Sequence, residues 1–279
     1  MSKLTETIPT LPGQAVSQFG KLFGGSFVTA AQASHVTSHF NGFLRTALLL
    51  FADEAAQTDV KTQGILKAMI TEMSQLSESK GLDAKMVRSF YDVWMASNSE
   101  ECIRLDNDDR RYFMPEVSRK YHGDEAFFDK LNREMANGGS EALFSLLANR
   151  DISHFQPRSR PSTDRSAALL FEQKYHSMDS VEQFLFHALH NLEPPFDRPG
   201  IKVSHADINA FFHVHRGNSR DRGISVPSRT LLGKMKGIFK GAMIDHGVTH
   251  GIRHKSFMPL AVLREAFQDH YQAPACIFE

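Results

Sequence analysis

The sequence predicts an α/β chain in two parts: a parallel sheet with its helices, then a mostly helical, basic region. Three observations carry that expectation. Up to residue 154, short apolar runs alternate with apolar residues at helical spacing, the signature of strands and helices in layers. Residues 155–165 form a linker in which Phe155 to Asp164 reads FQPRSRPSTD, rich in Pro, Ser and Arg. From 166 to 279 the apolar positions follow the helical period, with Ser and Pro at the expected starts.

The elements follow in order. Residues 27–30, 47–52 and 93–96 read as strands, and residues 111–114 as a candidate fourth. The second run is apolar on both faces, as a strand buried in a parallel sheet must be. Between the runs, Ile65, Leu66, Met69, Ile70 and Met73 recur at helical spacing. Beyond the linker, Ser204 followed by Asp207 starts a helix carrying Ile208, Phe211 and Phe212. Pro227 opens another, with Leu231, Leu232, Met235, Ile238 and Phe239 inward and Arg229, Lys236 and Lys240 stacked on the opposite stripe. Residues 245–257 suit a two-stranded wing, and a last helix follows Pro259. Helix, helix, wing, helix is compatible with a winged-helix DNA-binding module, and the same pattern fits many small helical domains.

Composition narrows the partners. The 279 residues are 41% hydrophobic and 23% charged, ordinary for a globular protein. The longest apolar run, residues 47–52, is far too short for a bilayer, and two cysteines fit a reducing cytoplasm. Lys+Arg and Asp+Glu are both 32, yet residues 197–255 hold eleven basic and four acidic side chains, a net of +7. Such an asymmetry marks a part facing a polyanion. His246, His250 and His254 repeat every four residues, but Gly247 and Gly251 interrupt them, which argues against one helical face of metal ligands.

The local motif with most chemistry is LLLFADEA, residues 48–55. A buried strand ending in Asp53-Glu54 is how a P-loop ATPase presents magnesium and water to ATP: the Asp holds the ion through water and the Glu takes a proton from the attacking water. The next strand ends in Ser97-Asn98, an amide suited to orient that water. Asp108-Asp109-Arg110-Arg111 follows, where an arginine is suited to reach a neighbouring subunit's phosphate.

With these motifs in order, the run from Phe19 to Val117 resembles the AAA+ core of superfamily 3 helicases, specifically the primase–helicases of bacteriophages and prophage elements. The matching stretches are FGKLFGGSFV, HFNGFLRTALLLFADEA, GILKAMITE, SESKG, WMASN and DDRRYFMPEVS, with NGGSEALFSLLANRDIS continuing to Ser153. The resemblance implies a hexameric, ATP-driven translocase acting on single-stranded or forked DNA in replication. It implies that Asp53 binds magnesium and Mg-ATP, that Glu54 is the base, Asn98 the sensor, and Arg110 or Arg111 the finger. It also implies DNA contacts between the acidic pair and the sensor, where the chain offers Lys67 and, after a hairpin strand, Lys80-Gly81. One part of the pattern is missing. The family's phosphate loop, GxxxxGK[ST], should precede FGKLFG, but residues 7–17 read TIPTLPGQAVS. The chain unaided is therefore expected neither to grip nor to hydrolyse ATP. The alternative expectation is a non-enzymatic DNA-binding or interaction protein derived from a prophage helicase.

Overall fold

The computed structural model describes residues 11–30, 41–52, 60–81, 83–109, 111–156, 159, 161–217 and 226–278. The chain divides into two compact units. One contains residues 1–104 and 116–160, and the other residues 105–115 and 161–279.

The first unit is built on three parallel strands in the order β1–β2–β5: β1 (Phe27–Ala30), β2 (Leu49–Ala52) and β5 (Asp92–Met95). Leu50 lies opposite both Val28 and Val93, so β2 is the central strand. Its four residues are all buried, the physical reason for the unbroken apolar run. Helix α2 (Val60–Thr71) presents Leu66 and Met69, one turn apart, to a core that also holds Leu44, Leu50, Ala52 and Tyr91. Helix α1 (Leu11–Gly20) brings Phe19 flat against Trp94 of β5, with ring centroids 5.0 Å apart. Between α2 and β5 the chain forms an antiparallel hairpin, β3 (Ser74–Ser77) and β4 (Lys85–Arg88). Helices α3 (Glu125–Glu134) and α4 (Ser140–Ala148) follow, joined through a kink where Gly138 has φ 97°.

The candidate strand at 111–114 is not formed. Instead of entering a ladder, the Arg111 N–H donates to Asp109 Oδ1 (2.9 Å). Residues 105–115 belong to the second unit, where Tyr112 is buried. They are tied down by Lys174, itself 2% exposed, whose Nζ donates to the carbonyls of Asn107 (2.6 Å) and Tyr271 (2.7 Å). Ser177 Oγ accepts from the Leu105 N–H (3.0 Å).

The rest of the second unit runs α5 (Asp164–Ser177), α6 (Ser180–Asn191), β6 (Val203–Ser204), α7 (His205–Gly217), α8 (Ser228–Phe239), β7 (Met243–Thr249), β8 (Ile252–Phe257) and α9 (Leu260–Tyr271). Three of the helix starts are capped by side chains, while α8 and α9 start after Pro227 and Pro259 without one. Thr163 and Ser166 form a capping box on α5, and Asp179 and Glu182 another on α6. Ser204 Oγ accepts from the Asp207 N–H (3.1 Å). Leu185, Ile208, Phe212, Met235 and Phe267 meet in one core. The sheet order is β6–β8–β7, with antiparallel pairs, so the expected wing is a real hairpin. It turns at His250 and Gly251, both at positive φ. His246, His250 and His254 thus fall on two strands and a turn rather than on one helical face. No described helix is long and apolar enough to cross a membrane.

Candidate functional site

In the first unit, the candidate site lies where the central strand and its neighbour end. β2 and β5 finish level with each other, Ala52 beside Met95. In open α/β sheets that end is where ligands bind. Asn98 leaves it three residues after β5 and is exposed. Asp53 and Glu54, which follow β2 in sequence, lie outside the described residues, as does Arg110.

Arg111 is described, and it is engaged. Its Nη1 pairs with Asp109 Oδ2 at 3.0 Å, and the Asp109 side chain is fully buried. Burial, and after it the charge of the Asp109 carboxylate, pushes the Tyr112 hydroxyl up to about 12. Arg111 is therefore held by a carboxylate two residues away within its own unit. Phosphates need backbone amides and a lysine around them, and neither the described residues nor the sequence supplies the GxxxxGK[ST] loop. Among the described residues no such cradle for Mg-ATP is formed.

The two DNA candidates of the first unit sit on different elements. Lys67 is half-buried on α2, while Lys80 is exposed at the β3–β4 turn beside Gly81, whose φ is 78°. The hairpin carries further cations that the spacing did not single out, Lys85 and Arg88 on β4. Arg88 lies over the ring of Phe90 at 5.2 Å. The signal available in sequence was the run KMVRSF, residues 85–90, with basic, apolar and aromatic residues interleaved.

In the second unit, α8 buries Leu231, Met235, Ile238 and Phe239. Its outward residues are Arg229, Thr230, Gly233, Lys236 and Gly237, all exposed. Lys240, one residue past the helix, is its C-cap with φ 44° and is also exposed. A Cβ at Gly233, Gly237 or Gly241 would meet nothing within 4 Å, so on this face the backbone itself is open to close approach. The remaining basic residue of α8, Lys234, is spent internally: it pairs with Asp179 and, at 3.6 Å, with Glu182 at the start of α6. Burial raises the Glu182 pKa and lowers that of Lys234. Within the wing, Lys255 is buried and bound to Asp245. That ammonium, with the Gly247 amide, holds Asp245 at about 2. Arg253, by contrast, is exposed on the wing.

A family model described as a family of unknown function, DUF5906, matches residues 13–111. No curated protein matches the chain. Solved structures do. The A-form apo structure of the NrS-1 C-terminal region is similar at a TM-score of 0.64 and 14% identity, over 88% of this chain and 64% of that one. An apo structure of the same region, residues 305–718, gives 0.62 at 14% identity over the same shares. A further A-form apo structure gives 0.60 at 15%, over 87% of this chain and 62% of that one. The chain thus spans less than two thirds of the NrS-1 region's length, and what the two share at this identity is the fold.

Proposed function

We propose that the chain is the C-terminal part of a phage-type primase–helicase and that it grips DNA through α8, with Lys80 of the β3–β4 hairpin as a second contact. The observation that carries this reading is the outer face of α8. Arg229 and Lys236, with Lys240 at its end, line a helix face that itself carries no acid and no large apolar side chain. Such a face suits phosphates, which it approaches with cations and bare backbone, and it holds few groups able to read base edges. Binding is accordingly sequence-tolerant. The fold likeness to the NrS-1 C-terminal region and the ordered motifs of the first half support the same assignment.

In this reading the intact protein is a homo-hexamer. Asp53 would bind magnesium and Glu54 act as base, with Asn98 the sensor and Arg110 or Arg111 the finger, once a phosphate loop is supplied. The missing loop and the Arg111–Asp109 pair favour a second reading, a non-enzymatic DNA-binding protein of the same descent. Joining an upstream segment that carries an apolar strand and GxxxxGK[ST] separates the two: restored Mg-ATP binding supports the helicase reading and its absence the second.

The DNA contact is tested by salt titration. Each phosphate contact releases counterions, so replacing Arg229, Lys236 and Lys240 by Ala lowers the slope of log affinity against log salt by about 3 on duplex DNA. An unchanged slope would make the face a solvated one.

A further inference from the structure

The outer face of the β3–β4 hairpin has the make-up of a base-stacking surface. Ser74 faces Arg88 and Leu76 faces Met86 across the pair, so these four side chains share one side. The pairing runs on past β4, where the Ser89 N–H donates to the Met73 carbonyl (2.9 Å), and this keeps Phe90 in alternation with Arg88 and Met86. Leu76 is 54% exposed, Met86 66% and Phe90 63%. The opposite side is occupied: Ser77 is buried, and the Tyr91 hydroxyl donates to Gln75 Oε1 (2.9 Å). The edge of β3 is pinned as well, because Asn41 Nδ2 donates to the Leu76 carbonyl (2.9 Å) while its Oδ1 accepts from the Glu78 N–H (2.8 Å). The hairpin is thus held from behind and along one edge, with an apolar, aromatic and basic strip left open in front.

We infer that this strip is a stacking platform for single-stranded DNA, with bases on Phe90 and Met86 and phosphates near Arg88 and, at the hairpin turn, Lys80. The inference rests on the DNA-binding reading above and adds to it a second kind of contact, made to the bases. Two features choose this occupant. An arginine over an exposed ring, with Lys80 at the adjoining turn, combines a π-face with cations, which is how strands are held irrespective of sequence. A second copy of the chain is a poorer occupant, since a symmetric contact through this strip would set its cations against their own copies.

The test uses the whole chain and two fluorescent 15-mers, oligo(dT) and an abasic strand of the same length. Phe90→Ala weakens oligo(dT) binding by roughly 5- to 100-fold, the range for one stacked base. It leaves abasic binding and the salt slope unchanged, and Phe90→Trp restores oligo(dT) affinity. Lys80→Ala weakens both strands alike and lowers the slope by about 0.7. If Phe90→Ala changes neither strand or both equally while Lys80→Ala still weakens binding, the platform is wrong and the DNA reading survives. If neither change matters and the α8 triple variant also binds as before, the DNA reading itself fails. A Phe90→Ala effect on sedimentation rather than on oligo(dT) affinity would assign the strip to a second copy and overturn the inference.

Discussion

The second unit closes on itself, with Phe184, Phe212, Phe239, Phe257 and Phe267 each 2% exposed or less in one core. The first unit has a smaller core in which Ala30, Ala47 and Ala52 take places that larger residues hold in the other. Its helix α4 has no buried residue at all, leaving Phe144 58% and Leu146 69% exposed. Apolar surface of this extent is a mark of contact with something else. The difference teaches that the basic unit owes its stability to its own packing. The sheet-bearing unit keeps apolar side chains that its described residues do not cover.

The strongest way to break that comparison is to injure each unit in turn. Phe267→Ala, at a site with 0% exposure, should cost the second unit about 3–5 kcal/mol and lower its calorimetric transition. Phe144→Ser on α4 should move neither transition by more than about 0.5 kcal/mol. A large loss from Phe144→Ser would mean that α4 is packed after all. A smaller effect sharpens the picture of the second unit's edges. Lys174→Met removes the ammonium that satisfies the Asn107 and Tyr271 carbonyls, at a cost of about 1.5–3 kcal/mol. Amide exchange over residues 105–115 should accelerate with it, and unchanged protection there would show that the strap is held by other contacts.

The smallest effect belongs to the wing. The Asp245 carboxyl sits near 2 in the folded chain against an ordinary 3.8, so what it adds is fully present above about pH 4. That contribution is lost as the pH falls toward 2, with protection of the wing amides falling across the same interval. Asp245→Asn should abolish the pH dependence, and a wing that loosens identically in the variant would remove Asp245 from the account.

The two units also differ in how much the sequence reveals. β2 was legible because a strand covered on both faces permits nothing but apolar residues, and α8 because Pro227 and a basic stripe mark its start and outer face. The wing was legible from glycines among alternating residues, since Gly251 serves a turn at positive φ. Residues 111–114 misled because Tyr112 is buried and Phe113 exposed, the alternation of a strand, while the Arg111 amide turns back to Asp109. The hold of Lys174 on Asn107 left no trace in composition, because a backbone carbonyl is offered by any residue. In the candidate site, Asp109 escaped notice as the partner of Arg111: an acid beside an arginine reads as surface charge until its burial is known.

The strap has a consequence for the order in which the protein is made. Residues 105–115 leave the ribosome before residues 116–160, which belong to the other unit, and well before α5 exists to receive them. Leu105 and Tyr112, buried in the finished molecule, must therefore wait in the open while the first unit is completed around a gap in its own chain. The second unit cannot reach its final form by folding a continuous stretch as it emerges. It must recover a piece synthesised earlier, so its last closing step joins segments far apart in time as well as in sequence.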